Sequence, residues 1–265
     1  MNTATLTGRR VGPIEYATSL CRDLSRSVAA YRALLGYHAD DGHRCAGTRC
    51  RLLLPPQASC GGIHLVERPD VDPARPWQVA GGAALEIVVR DADAAADHAA
   101  TVDDFEIIGG PRPAGATGRL RVVHVRGPDR EVLYLTRIMP ADRPHLLPAR
   151  PRSLVGRLYS TVLAVADIEQ VRDRLRERLG GRPISDRPAA LATARLVRGD
   201  PADRSYRISS MSIGGGALLE LDEIPGVRPA PPGSLAGPVA VALRGPAGGL
   251  TLPLDLSDTP TGGER

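Results

Sequence analysis

The 265-residue sequence contains no lysine; all of its 34 basic residues are arginine. That absence excludes Schiff-base catalysis by lysine and a phosphate-gripping P-loop lysine, because each needs the ε-amine itself. The arginine bias fits a GC-rich bacterial genome. Aromatic residues make up only 3%, with one Trp and one Phe, too few for the base-stacking platforms of nucleic-acid binders. The net charge of +4 does not restore that option, since the arginines are interspersed with acids. No nucleic-acid partner is expected. No apolar run reaches the roughly 20 residues that a membrane span requires, so no membrane partner is expected either. The opening MNTATLTGRRVGP lacks the apolar stretch and cleavage pattern of a secretory signal, and the expectation is a cytoplasmic protein.

Cysteine is sparse as well. Cys21, Cys45, Cys50 and Cys60 lack paired Cys-x-x-Cys spacing, although His43, Cys45, Cys50 and Cys60 fall within eighteen residues. A zinc site there would have to span a strand and two loops, so the reading is reduced thiols. What remains is ordinary for a globular chain: 42% hydrophobic and 24% charged residues, in a length that suits two lobes.

The order of elements repeats. Ile14 to Leu20 alternates like a strand, Asp23 and Ser25 signal a helix start, and short runs around Tyr37 to Ala39, Arg51 to Leu54 and Gly62 to Glu67 follow. This is a βαβββ unit. A second fits a strand at Ala84 to Val89, a helix at Asp91 to Ala100, and strands at Phe105 to Ile108, Arg119 to Arg126 and Val132 to Ile138. After the Pro- and Arg-rich MPADRPHLLPARPRS, a third unit begins with LYSTVLAVAD and the helix EQVRDRLRERLGG, with strands near Ala194 to Val197, Arg207 to Ile213 and Ala217 to Asp222. The last forty residues are too short for a fourth, yet VALRGPAGGLTL echoes VHVRGPDREVLY, so that Arg126, Gly127 and Pro128 recur 118 residues later as Arg244, Gly245 and Pro246. The fourth unit is read as a closing hairpin that has lost its first strand and helix.

IEYATSLCRDLSRSVAAYRALLGY resembles the opening of a module of the vicinal oxygen chelate superfamily, which includes glyoxalases, bleomycin-resistance proteins and extradiol dioxygenases. Asp23, Leu24, Tyr31, Leu35 and Gly36 carry the likeness. GPDREVLYL resembles the family's Asp-Pro-Asp-Gly turn and final strand, departing from it at Gly127 and Arg130, and LAVADIEQVRDRLRERLGG is a third partial match. The resemblance implies an α+β protein of tandem βαβββ modules forming cup-shaped mixed sheets. The expected division is a first lobe over 11–140, a linker over 141–153, a second and partly degenerate lobe over 154–256, and a tail over 257–265.

Family cups usually hold a divalent metal on their first and last strands. Aligned to that pattern, this chain offers Tyr16, Ala84 and Ser160 on first strands and His64, Tyr134 and Glu220 on last strands. The first lobe keeps at most one conventional ligand where an open catalytic site needs three, so neither a metal nor another cofactor is expected. If the family geometry holds, Tyr16, His64 and Tyr134 share one cavity, with His64 as base and a phenol as oxyanion donor. His124, Arg121, Ala84, Ser160 and Glu220 are the candidate substrate-binding residues. Arg119 could join Arg121 in clamping a carboxylate, and His38, His43, His98 and His145 are read as surface. Of the adjacent Tyr159 and Ser160, alternation admits only one to a cup. The site is sought in the first lobe, and the second is read as a support or homodimer surface.

The leading expectation is a metal-independent enzyme doing acid–base chemistry, by isomerisation, cyclisation, dehydration or lyase action, on an apolar small molecule. A role in natural-product biosynthesis follows from the resemblance alone. Two alternatives stay open: a protein that sequesters an antibiotic or other small molecule, and a metal-dependent lyase or dioxygenase with ligands shifted to His64, His124 or Glu220.

Overall fold

The computed structural model describes residues 12–115, 118, 120–139, 147–229, 237–245 and 248–254. Arg119, His145 and Pro246 lie outside the described residues. The first module runs β1 (Ile14–Cys21), α1 (Leu24–Leu35), β2 (His38–Asp40), β3 (Cys50–Leu54) and β4 (Gly62–Glu67). Its helix starts where the sequence says it should. The Asp23 carboxylate accepts the Arg26 backbone N–H at 3.0 Å, satisfying one of the donors a helix leaves orphaned. Gly36 ends the helix at φ 66°, a left-handed conformation that glycine adopts without penalty. Leu24, Ser27, Ala30, Tyr31, Leu34 and Leu35 are buried, the i, i+3, i+7 stripe of a helix lying on a sheet. Each leucine so buried contributes roughly 1.5–3 kcal/mol.

The second module runs β5 (Gly81–Val89), α2 (Ala92–Ala99), β6 (Glu106–Ala114), β7 (Leu120–Arg126) and β8 (Val132–Ile138). The third runs β9 (Val155–Val165), α3 (Ile168–Leu179), β10 (Arg182–Ala189), α4 (Ala192–Arg198), β11 (Tyr206–Gly214) and β12 (Ala217–Glu223), and the hairpin β13 (Ala240–Gly245) and β14 (Gly248–Pro253) follows. Aspartates cap α2 and α3 as well, at Asp91 and Asp167. One assignment is corrected here. Ala194 to Val197 is not a strand but the middle of α4, a run of good helix formers closed by Gly199 at φ 71°. The strand in this module is RPISDRPA, whose prolines are tolerated because β10 is a sheet edge.

At the turn before β8, Arg130 stands where the family has glycine, and it adopts φ 69°. Gly127 is fixed by crowding, since a Cβ there would lie 2.2 Å from Glu131 Oε1. Glu131 is buried, accepts the Tyr31 hydroxyl at 2.8 Å and the Asp129 N–H at 2.9 Å, and has its pKa pushed up to about 7 by burial. The turn is thereby locked onto α1.

The strands form two sheets. One has six strands in the order β14-β13-β1-β4-β3-β2, and the other eight in the order β10-β11-β12-β9-β5-β8-β7-β6. The second and third modules therefore share a sheet, and the first does not join the second. β5 pairs antiparallel with β9, matching Ala84 to Val162 and Glu86 to Ser160, while β1 pairs antiparallel with β13. This corrects the expected lobes at their foundation: residues 81–138 join 155–223, and residues 14–67 join the C-terminal hairpin. The physical reason lies in edges. The first strand of each complete module is its open edge, and an open edge demands a partner. Either pairing of four modules satisfies that demand, and nothing local in the sequence chooses between them.

Alternation then sorts the side chains of the larger sheet. Leu85, Ile87, Val89, Leu133, Leu135, Leu163, Val165, Leu219 and Leu221 join the helices in the main apolar layer. Ala84, Val132, Tyr134, Val162 and Ala164 line the opposite face.

Candidate functional site

That opposite face encloses a cavity of about 280 Å³, at the small end for a ligand site. Arg112 of β6 and Arg187 of β10, from the two edges of the eight-stranded sheet, both line it, so the sheet curls into a cup. Leu120, Val122, Ile208 and Leu191 give the wall its apolar character, and Glu86, Thr136, Tyr134, His124 and Glu220 supply polar groups. α4 closes one side, and its Thr193 hydroxyl bonds His124 Nδ1.

Glu86 and Glu220 are the groups with most chemical potential. Both keep a wetted edge on the cavity while the rest of each is enclosed. Burial raises the Glu86 pKa, opposed by hydrogen bonds from Tyr159, Thr136 and Ser160; the Thr136 hydroxyl lies 2.8 Å from Oε1. Glu220 is raised well above the ordinary carboxylate range, first by burial and then by the charges of Asp222 and Glu86. Asp222, fully buried behind it, accepts the Trp77 indole N–H at 2.7 Å, and burial pushes its pKa up to about 7. A row of carboxyl groups this close cannot all ionise.

His124 is the neutral counterpart. Burial, then the nearby Arg112 charge, lowers its pKa to about 3. Its ring stacks on Tyr134 at 4.0 Å between centroids, and Arg112 Nη2 lies 3.4 Å from Nδ1. Tyr134 stacks in turn toward Trp77 at 6.2 Å. Among the described residues no carboxylate is ion-paired with Arg112 or Arg187, which leaves both guanidinium groups available to an anionic ligand.

The structure separates the residues that were expected to act together. Tyr134 belongs to the cup, whereas Tyr16 and His64 lie on the six-stranded sheet and do not line this cavity. The cup is not confined to residues 11–140, because β9 to β12 supply half of its sheet. His124, Glu86 and Glu220 line it, whereas Ala84 and Ser160 are buried and do not reach the cavity. Tyr159 and Ser160 both reach Glu86, against the alternation rule. Ser160 pairs with Glu86 and Leu158 with Ile87, leaving Tyr159 as an extra residue, and such a bulge turns two successive side chains to one face. Arg121 does not line the cup and pairs with Asp93 at 2.6 Å.

Sequence reasoning missed Glu86, Arg112, Arg187 and Asp222. Glu86 had a signal, a lone acid inside the apolar strand GGAALEIVV, and a charge on a strand buried on both faces needs a reason. The cysteines are corrected too. Cys45 and Cys50 form a disulfide with Cα atoms 6.1 Å apart, because the loop between β2 and β3 folds back on itself, while Cys21 and Cys60 are free thiols. His43, read as surface, meets His64 there, whereas His98 donates to or accepts nothing in the cup and sits 2.9 Å from the Ala33 carbonyl.

Whether the cup fits the metal that the fold family implies can be tested on its donors. Of the family positions in this cup, Ala84, Tyr134, Ser160 and Glu220, one is a carboxylate. Among the described residues, the group of three or more His, Cys, Asp or Glu side chains with ligating atoms within 4.8 Å of one another is His43, Cys45, Cys50 and His64, outside the cup. Glu86 is already engaged by three hydroxyls. The cup's donors do not fit a three-ligand metal site. Among the described residues no helix is long and apolar enough to cross a membrane.

No protein-family profile and no curated protein sequence matches the chain. Solved structures do. Glyoxalase I from Zea mays superposes with a TM-score of 0.60 at 17% identity, covering 87% of this chain and 73% of that one. A mutant form of the same maize enzyme gives 0.58 at 19% identity, covering 82% and 70%. With its βαβββ modules, curled mixed sheets and this likeness, the chain has a glyoxalase-like fold.

Proposed function

We propose that the chain is a metal-independent acid–base enzyme working in the eight-stranded cup on a largely apolar small molecule that carries a carbonyl or carboxylate group. The observation that carries this reading is the pair Glu86 and Glu220, two carboxyl groups on one cavity floor whose burial favours their protonated forms. A carboxylic acid kept neutral near pH 7 can donate a hydrogen bond or a proton to a carbonyl oxygen. Glu220, the more strongly raised, takes that role. Glu86, held by three hydroxyls, takes the proton from the adjacent carbon as carboxylate. The product is an enol: return of a proton to a different carbon gives isomerisation, loss of a leaving group gives dehydration or lyase chemistry, and attack of the enol carbon on a carbonyl of the same molecule, whose oxygen takes the proton from Glu220, gives cyclisation. Arg112 and Arg187 bind the anionic end of the substrate, and the Tyr134–His124 stack forms an apolar wall with neutral polar edges.

The test is proton exchange. Compounds that bind the full chain by thermal shift, drawn from aryl 2-oxo acids, cyclic 1,3-diketones and unsaturated lactones, are incubated with it in D₂O and followed by NMR. Protein-dependent C–H to C–D exchange, lost in Glu220→Gln, is the expected result. Tight binding with every ligand returned unchanged and unexchanged would replace this reading with that of a sequestering protein.

A further inference from the structure

Away from the cup, four soft side chains meet on the open face of the six-stranded sheet. His64 rises from β4, Cys50 opens β3, and His43 and Cys45 come from the loop between β2 and β3. Their ligating atoms all lie within 4.8 Å of one another. Nε2 of His43 is 3.2 Å from Nε2 of His64, and Sγ of Cys45 is 3.2 Å from that same nitrogen. We propose that His43, Cys45, Cys50 and His64 bind a zinc ion in the reduced protein, and that the Cys45–Cys50 disulfide is the oxidised, metal-free form of the same site.

Three features point there. The first is distance: tetrahedral zinc, with bonds of about 2.0–2.1 Å to nitrogen and about 2.3 Å to sulfur, spaces its ligand atoms roughly 3.3–3.8 Å apart. The two imidazole nitrogens already stand close to that spacing, so reduction need only let the sulfurs part. The second is orientation. Thr18 Oγ1 lies 3.2 Å from His64 Nδ1, so that when Nε2 takes the metal, Nδ1–H donates to the threonine oxygen, the outer-shell bond typical of ligating histidine. Tyr16 packs edge-on against both rings, at 5.3 Å from His64 and 5.8 Å from His43. The third is chemical type. Two imidazoles and two thiolates are the donors of structural zinc sites and a poor match for hard cations.

The switch between the forms balances. A dithiol reductant gives two electrons and two protons to the Cys45–Cys50 bond and becomes a disulfide itself, leaving two thiols. Zinc then displaces both thiol protons to water as it binds. The site ties the loop between β2 and β3 to β4, and it stands independently of the chemistry proposed for the cup.

The test uses the full chain, reduced with a phosphine, stripped by chelator and titrated with cobalt(II). One cobalt per chain, with thiolate-to-cobalt charge-transfer bands and tetrahedral d–d bands, displaced by zinc and missing from the oxidised protein, is the expected result. Cys50→Ser and His43→Ala should each weaken cobalt binding more than tenfold, and Cys60→Ser should leave it unchanged. His43 sits on a half-exposed loop, so its variant reports on the site even where a cysteine variant folds poorly. Reduced protein that shows no thiolate–cobalt band, or that binds cobalt equally well as His43→Ala, would overturn the proposal.

Discussion

The two sheets are built from the same module and have diverged in opposite directions. The eight-stranded cup joins two complete modules, encloses a cavity and collects Glu86, Glu220, Asp222, His124 and two arginines. The six-stranded sheet joins one complete module to a hairpin, and its open face carries Tyr16, Thr18 and His64 half-covered by a cysteine-bearing loop. Enclosure explains the difference. A carboxyl group changes its protonation behaviour where protein replaces water on most sides, as it does for Glu86, Glu220 and Asp222 around the cup. The incomplete pair leaves a shallow face better suited to a structural tie.

The sharpest way to break this contrast is to cripple each sheet in turn. With a compound that exchanges protons, Glu220→Gln should lower the exchange rate at least about 100-fold, as expected for loss of a general acid, while His64→Ala should change it less than about twofold. A large effect of His64→Ala would restore the six-stranded sheet as the reactive one.

Trp77→Phe probes the support beneath the cup. It removes the N–H that Asp222 accepts at 2.7 Å, and the other oxygen of that carboxyl group, Oδ1, is already without a partner. A loss of about 2–3 kcal/mol in urea unfolding is expected, with no comparable cost for Tyr16→Phe on the open face.

The pH dependence of stability draws on both sheets, since burial also lowers the His64 pKa to about 4, and a variant separates the share of the cup. Burial holds the folded His124 pKa at about 3, below the ordinary 6.5, so the unfolded chain binds its proton first. Its contribution is complete above about pH 6.5 and is lost as pH falls toward 3. Between pH 6.5 and 4.5 the loss should be about 2–3 kcal/mol, at about 1.4 kcal/mol per unit, and His124→Gln should flatten that slope in urea titrations at the two pH values. On the other sheet, Cys50→Ser under oxidising conditions should cost about 2 kcal/mol, the entropy of so short a loop, without altering ligand binding in the cup. Arg121→Ala, which removes an exposed ion pair, should leave both stability and ligand binding within error.

Much of the fold was legible because its signals are local. Asp23, Asp91 and Asp167 each sit one turn ahead of an amphipathic run, and Gly36 and Gly180 close two of the helices. The repeat of strand, aspartate and helix gave the module and the family resemblance. The failures were those of range and of pleat. Pairing β5 with β9 rather than with β1 depends on contacts some eighty residues apart, for which no local pattern exists. The bulge at Tyr159 defeated a parity argument that holds only for regular strands, and β10 was obscured because its prolines read as loop. Of the residues lining the cup, the module pattern points to Tyr134 and Glu220, the side of the strand that His124 faces is not set by that pattern, and Glu86 lies two positions beyond the ligand position at Ala84.

The central claim is that ligands bind in the cup shared by the second and third modules. A crystallographic fragment screen of the full chain tests it most directly. Carbonyl- and carboxylate-bearing fragments should collect between Glu86, Glu220 and His124, with their anionic ends on Arg112 or Arg187. Fragments that instead occupy the face around Tyr16 and His64, leaving the cup to solvent, would contradict the account.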